Sequence, residues 1–242
     1  MPLPLEGRVA LITGGAKRIG RSIVQKLAAE GADIVINYAS SKAEAEGLAA
    51  DVRKLGRRAL AIPANISIKQ EVQQKFQKIE GEFSRLDILV NNAGTFFAAD
   101  FLDLTEEQWD AIMSTNLKAQ FLCAQAAAPL LKRSGHGRII NISSLGGMLP
   151  WPKFTHYCVS KAGVIMLTKC LARALAPEIL VNSVAPGTIQ FPGEEPDQDY
   201  IRRAPLHRTG KGAELADAVF FFATTEFVTG QILAVDGGRS LT

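Results

Sequence analysis

Residues 10–32 read ALITGGAKRIGRSIVQKLAAEGA. A β-branched apolar run, RVALIT (8–13), passes through a glycine turn into a helix expected over about 19–30. Gly14 permits the tight turn, and Gly20 permits close approach of the helix, or of a pyrophosphate, to the turn. A second apolar run, DIVIN (33–37), follows at once, so the unit is strand, helix, strand.

The same alternation continues to the end of the chain. Helices are expected over about 41–55, 68–81, 105–131 and 155–176. Strands are expected at RALAI (58–62), LDILV (86–90), GRIINIS (137–143), ILVNSVAP (179–186) and QILAVDG (231–237). Thr105 followed by Gln108 forms a capping box at the start of the long helix. Near-continuous apolar strands spaced by helices define a parallel sheet covered on both faces. The expected fold is α/β: a single Rossmann-type, doubly wound, parallel seven-stranded sheet with helices on both faces, in one domain spanning 1–242. The long irregular segment 186–212, PGTIQFPGEEPDQDYIRRAPLHRTGKG, has room for a short helix around 195–203, and a loop of this length suggests a lid.

The totals narrow the function. The chain has 242 residues, is 47% hydrophobic, and carries 27 basic against 24 acidic residues with no basic block. That balance gives no support to nucleic-acid binding and suits an anionic cofactor. The three cysteines, Cys123, Cys158 and Cys170, show neither metal nor disulfide spacing and point to a reducing compartment. No apolar stretch is long enough to span a bilayer, and the N-terminal apolar run has no basic region ahead of it. The expectation is a cytoplasmic protein with no metal and no membrane association.

A glycine turn after the first strand of a βαβ unit holds phosphates on the backbone N–H groups of the helix start. An NAD site usually ends its second strand with a carboxylate for the ribose 2′-hydroxyl. Here the strand ends VINYASSK, with no carboxylate. Tyr38, Ser40 and Ser41 offer donors, and Lys17 and Arg18 add positive charge, as a 2′-phosphate requires. The expected cofactor is therefore NADPH/NADP. Its contacts at this end are Gly14, Lys17, Arg18, Ile19 and Gly20 in the turn, and Asn37, Tyr38, Ala39, Ser40 and Ser41 at the second strand.

In YCVSK (157–161), Tyr157 and Lys161 stand at i and i+4, on one helix face. A nearby ammonium and an overhead cofactor cation favour the phenolate and lower the phenol's pKa from about 10. Tyr157 can then give a proton to a carbonyl oxygen as hydride reaches the carbon. Ser144, after the fifth strand in NISSLGG, can donate to the same oxygen; Ser143 competes for that role. Asn116, inside the long helix, has the polarity to bend or hydrate it.

Together these residues resemble the classical short-chain dehydrogenase/reductase family over essentially the whole chain. The marks are TGGAKRIG (13–20), NNAG (91–94), STN ending at Asn116, SS (143–144), YCVSK, VNSVAPG (181–187) and TGQILAVDGG (229–238). The resemblance implies Tyr157 as general acid and Lys161 as the residue that binds the nicotinamide ribose and lowers the phenol's pKa. It selects Ser144 as the partner of Tyr157, and it gives Asn116 a water relay to Lys161. It adds Asn92, Ala93 and Gly94 to the cofactor contacts, with Pro186, Gly187, Thr188 and Ile189 beside the nicotinamide. Asn65, followed by Ile66, stands where many members have an aspartate facing the adenine. It also implies a homotetramer, with the long helix and the Tyr157 helix at one interface.

Two features divide the substrate reading. Arg18 in TGGAKRIG resembles the pteridine reductases, and the tandem Phe96–Phe97 could plate a flat ring. Ser144 is instead the pattern of carbonyl and 3-oxoacyl-carrier-protein reductases. The expected function is NADPH-dependent reduction of a ketone or 3-oxoacyl thioester, with Phe96, Phe97 and Ser144 in the substrate pocket. Dihydropterin reduction, and a non-catalytic nucleotide-binding role, are the alternatives.

Overall fold

The computed structural model describes residues 2–242. Its strands are β1 (Val9–Thr13), β2 (Asp33–Tyr38), β3 (Ala59–Pro63), β4 (Ile88–Asn91), β5 (Gly137–Ile142), β6 (Ile179–Pro186) and β7 (Ile232–Val235). They form one seven-stranded sheet in the order β3-β2-β1-β4-β5-β6-β7, and every pairing is parallel.

The β1 strand shows why the sequence chooses this architecture. All of its residues are buried. Ala10 and Ile12 face one core, while Val9 and Leu11 face the other. A strand apolar on both sides needs helices above and below it. The first core is closed by α1 (Arg18–Ala29), α2 (Lys42–Lys54) and α8 (Gly212–Thr224). The second is closed by α3 (Lys69–Phe83), α5 (Ala119–Ser134) and α6 (Thr155–Leu175). Burying one side chain such as Leu11 or Ile12 contributes roughly 2 kcal/mol. Winding reverses between β1 and β4, so a crevice opens there at the carboxyl edge, where such sheets take their ligands.

The structure corrects the expected helices in two places. The helix expected over 105–131 is broken into α4 (Glu106–Met113), a π-helical turn (Ser114–Lys118) and α5. Its start is as expected, since the Gln108 N–H donates to Thr105 Oγ1 at 3.3 Å and the Thr105 N–H donates to Gln108 Oε1 at 3.1 Å. Its interruption falls on Asn116 and has a structural cause discussed below. Helix α8 had no counterpart among the expected elements. Its run GAELADAVFFFAT is apolar nearly all round, which blurs the 3.6-residue period. It packs against α1 closely enough that a Cβ on Gly212 would lie 2.2 Å from Ser22 Oγ.

The segment between β6 and α8 is closed at its neck. Gly210 N–H donates to Thr188 O at 2.9 Å, and Gln190 N–H donates to Gly210 O at 3.0 Å. Beyond this neck lies α7 (Gln198–Arg203), started by Asp197, whose carboxylate accepts from the Tyr200 N–H at 2.9 Å. Among the described residues, no helix is long and apolar enough to cross a membrane.

Gly20 sits where nothing larger fits: a Cβ there would lie 2.2 Å from Gly14 O and 2.8 Å from Gly15 Cα. Gly20→Ala is expected to cost at least about 2 kcal/mol in urea unfolding. Gly47→Ala, in α2 with nothing within 4 Å of the added carbon, should instead gain roughly 0.5–1 kcal/mol.

Candidate active site

A cleft of about 930 Å³ lies at the carboxyl edge over the β1–β4 crevice. Its floor begins with the glycine turn, which is braced from β4. Asn92 Nδ2 donates to Thr13 O at 2.9 Å and to Gly14 O at 3.1 Å. In return Thr13 Oγ1 accepts from the backbone N–H groups of Asn92 at 2.9 Å and Ala93 at 3.1 Å. Gly14 is in the left-handed region at φ 59°, and so is Arg18 at φ 50°. A non-glycine residue held there points to local over-determination of the kind found at functional sites.

The two cations of the turn diverge. Lys17 pairs with Glu44 of α2 at 2.7 Å, on the side of the β2 terminus. Arg18 turns toward the neck-closed segment, where it pairs with Glu194. Its guanidinium also lies 4.7 Å from the centre of the Phe191 ring. The Phe191 N–H, and after it Arg18, hold the Glu194 carboxyl below its ordinary pKa. Both ion pairs are solvent-exposed, so water and salt screen them.

Helix α6 brings Tyr157 and Lys161 to the cleft. Lys161 is buried and its Nζ donates to Ile142 O at 2.9 Å. Burial holds its ammonium down to about 8. Two effects oppose one another at the Tyr157 phenol. Burial pushes the phenol up, against a hydrogen bond with Ser144 that pulls it down. The Lys161 Nζ lies 5.8 Å from the Tyr157 ring centre and is occupied with the β5 carbonyl, so burial wins.

Geometry separates the two serines. Ser143 Oγ donates to Val184 O at 3.2 Å and accepts from Ser183 Oγ at 2.8 Å, so it ties β5 to β6. Ser144 Oγ accepts from the Gly146 N–H at 3.0 Å and lines the cleft together with Tyr157. Asn116 is buried and spent on its neighbours. Its oxygen accepts from the Thr95 N–H at 2.8 Å, while Nδ2 donates to Thr95 O at 3.0 Å and to Ser160 Oγ at 3.2 Å. The π turn widens the helix at the residue that makes this clamp, a common arrangement at functional sites. A Cβ on Gly94 would lie 3.0 Å from Asn116 Oδ1 and 3.6 Å from Lys161 Nζ, so these groups converge.

The tandem phenylalanines part company. Phe96 lines the cleft. Phe97 does not; its ring packs 4.6 Å from that of His156, so its place in the substrate pocket is not supported. Adjacent backbone positions point opposite ways in this extended loop, and the sequence could not say which way. Trp151 and Phe154 were not anticipated, yet both line the cleft around Tyr157. Their signal, PWPKF (150–154), stands just before the helix and was readable only as aromatic enrichment.

Pro186, Gly187, Thr188 and Ile189 line the same cleft, as do Ile19, Ala93 and Gly94. The residues expected at the adenosine end lie outside it. Ala39, Ser40 and Asn65 edge a second hollow of about 700 Å³ beside the β2 and β3 termini. Asn37 has its Nδ2 committed to Ile62 O at 3.3 Å and Ala64 O at 3.1 Å. Tyr38 and Ile66 are core residues, each 6% exposed. Ser41 caps α2 by position, without a side-chain bond. Asn65 Oδ1 accepts from the Ser67 N–H at 3.0 Å.

A braced glycine turn, an uncharged β2 terminus and a Ser–Tyr–Lys group on one floor define a dinucleotide-dependent oxidoreductase site. The family model described as Enoyl-(Acyl carrier protein) reductase matches residues 14–240. The 3-oxoacyl-[acyl-carrier-protein] reductase FabG of Staphylococcus aureus is 39% identical over 237 residues, covering 95% of this chain and 96% of that one. The enzyme of the same name from Thermotoga maritima is 37% identical over 242 residues, covering 97% and 98%. A short-chain dehydrogenase/reductase from Serratia marcescens superposes with a TM-score of 0.93 at 35% identity, covering 98% of this chain and 99% of that one. A short-chain dehydrogenase from Burkholderia cenocepacia, solved in complex with NADP, superposes with a TM-score of 0.91 at 36% identity and the same coverage. The chain belongs to the classical short-chain dehydrogenase/reductase family.

Burying the Lys161 ammonium costs stability that the site needs and the fold does not. With a folded pKa of about 8 against an ordinary 10.5, the cost is full below pH 8 and fades as pH rises toward 10.5. Lys161→Met should therefore make the cofactor-free protein more stable near pH 7, by at most roughly 3 kcal/mol and by less to the extent that the bond to Ile142 O is lost. The advantage should shrink between about pH 8 and 10.5, as denaturant melts at the two extremes will show.

Proposed function

We propose that the chain reduces a ketone, with NADPH as hydride donor, Tyr157 as proton donor, and Ser144 as the second hydrogen-bond donor to the carbonyl oxygen. What supports this reading is that Ser144, Tyr157 and Lys161 line one cleft together with the glycine turn, with Lys161 Nζ anchored on Ile142 O.

The residues fit the cofactor. Gly20 leaves no room for a side chain between the helix start and the turn, which is the close backbone approach a pyrophosphate requires. No carboxylate ends β2 to repel a 2′-phosphate, and Lys17 reaches that side with only an exposed partner to give up. Ser40 and Asn65 edge the adjoining hollow. Bound NADPH supplies the hydride. The chain does the rest: Ser144 steadies the developing oxyanion, and Tyr157 gives the proton from its hydroxyl. Lys161, whose Nζ now rests on Ile142 O, turns its charge to the phenolate left behind. Asn116 keeps the Thr95 backbone, and so the loop after β4, fixed around the reacting carbonyl.

The segment 186–212 acts as a lid over the cleft within this one domain. Its closed neck and the Arg18–Glu194 contact support that reading. The named relatives and Ser144 favour a 3-oxoacyl thioester or similar ketone. The exposed ring of Phe96 beside Tyr157 keeps a dihydropterin as the second reading. A homotetramer is supported by exposed apolar residues on the outer faces of α5 and α6, namely Phe121, Val159 and Met166.

The test is a panel of 3-oxoacyl thioesters, small diketones and dihydropterins run with NADPH and NADH. NADPH oxidation with a ketone is expected, and none above background with any ketone would remove the reading. Tyr157→Phe should lose at least about a hundredfold in kcat while binding NADPH nearly unchanged.

A further inference from the structure

We propose that the cofactor's phosphates bind this chain by exchange with two carboxylates, Glu44 and Glu194, and that Glu44 thereby sets how strongly NADPH is preferred over NADH. The inference rests on the reading of the glycine turn as the phosphate cradle and of Lys17 as the cation for a 2′-phosphate.

Lys17 and Arg18 are consecutive at the start of α1, and both line the cleft. Each has its charge engaged. Lys17 Nζ pairs with Glu44 at 2.7 Å, and Arg18 Nη1 pairs with Glu194. The partners come from different elements, α2 and the lid. Among the described residues, neither charged head has a second ion-pair or hydrogen-bond partner, and Arg18 adds only the face of the Phe191 ring.

The carboxylates are held differently. Glu44 stands in the first turn of α2, where unpaired N–H groups and the helix dipole favour a negative charge. Glu194 Oε2 accepts from the Phe191 N–H at 3.0 Å, while Oε1 takes Arg18. Each carboxylate therefore keeps support of its own when its cation leaves. Each cation can change partners through water, since both pairs are solvent-exposed.

A phosphate offers more charge and more acceptor oxygens than a carboxylate, so it is the stronger partner. Arg18, at the helix start, serves the pyrophosphate that NADPH and NADH share. Lys17, turned to the β2 terminus, serves the 2′-phosphate that only NADPH carries. Glu44 acts against NADPH twice: it occupies Lys17, and it sets a carboxylate near an incoming dianion. It has no such effect on NADH, whose 2′-hydroxyl is a donor that a carboxylate accepts. The β2 strand ends without a carboxylate, so Glu44 supplies from α2 part of the charge that the strand omits.

The measurement is the dissociation constant of NADPH and of NADH, read from nicotinamide fluorescence with no substrate present. In Glu44→Gln, NADPH is expected to bind about two- to fivefold tighter and NADH no tighter. In Glu194→Gln, both should tighten alike. In a Lys17→Met background, Glu44→Gln should lose most of its gain for NADPH, because no ammonium remains to be released. NADPH binding that is unchanged or weaker in Glu44→Gln overturns the proposal, and so does an equal gain for NADH. A gain that survives in full beside Lys17→Met also overturns it, since repulsion alone would then explain the effect. Constants unchanged or weakened in Glu194→Gln remove the exchange at Arg18. Wild-type protein that binds NADPH no better than NADH, with Lys17→Met altering neither, fails the 2′-phosphate reading itself.

Discussion

The site depends on a clamp between two strands that are distant in sequence and adjacent in space. Asn92, just past the end of β4, holds the carbonyls of Thr13 and Gly14 at the end of β1, and the Thr13 hydroxyl holds two backbone N–H groups of β4's extension. This places the glycine turn against the winding reversal of the sheet. Without it, the turn would retain its loop entropy and the helix start its unaligned N–H groups. With it, a flexible glycine segment becomes a fixed anion cradle, and the residue after the cradle, Arg18, is held in a backbone conformation that it would not adopt alone.

A second set of bonds carries that order across the cleft. Asn116 grips Thr95 in the loop after β4 and Ser160 on α6. Lys161, one residue on, grips the end of β5. The side chains lining the cleft are therefore referenced both to the end of β5 and to the loop after β4. The means are expensive: a buried ammonium and a π turn both oppose stability. Their presence in an otherwise regular fold is the kind of local conflict that marks a functional region.

The fold was legible because β1 and its neighbours are apolar on both faces, and a double-faced strand has few architectures open to it. That Ser144, Tyr157 and Lys161 share one cleft was legible from the i, i+4 spacing of Tyr157 and Lys161 and from motif resemblance. Three things were not. Helix α8 hid behind a run too uniformly apolar to show a period. The break at Asn116 is a tertiary effect, since the local sequence STNLK is helix-compatible and only the clamp to Thr95 gives the π turn a purpose. The aromatic wall of the cleft is the third, because the convergence of Trp151 and Phe154 on Phe96 is set by the path of the loop after β5. The donors expected at the β2 end also divide in a way that spacing cannot show, because Asn37 and Tyr38 are absorbed by packing while Ser40 stays at the edge.

The neck of the lid has a consequence for divergence. Because Thr188, Gln190 and Gly210 bond to one another, the flap leaves and rejoins the chain at one point, with Arg208 reaching Glu214 on α8 and Tyr200 reaching Asp236 after β7. Lengthening such a flap costs little, about 0.6 kcal/mol for each doubling of its length. Its positions outside those two contacts can be rewritten without disturbing the strand that ends at Pro186 or the helix that starts at Gly212. The scaffold thus carries an exchangeable cassette at the mouth of its cleft, while the sheet beneath is inherited intact.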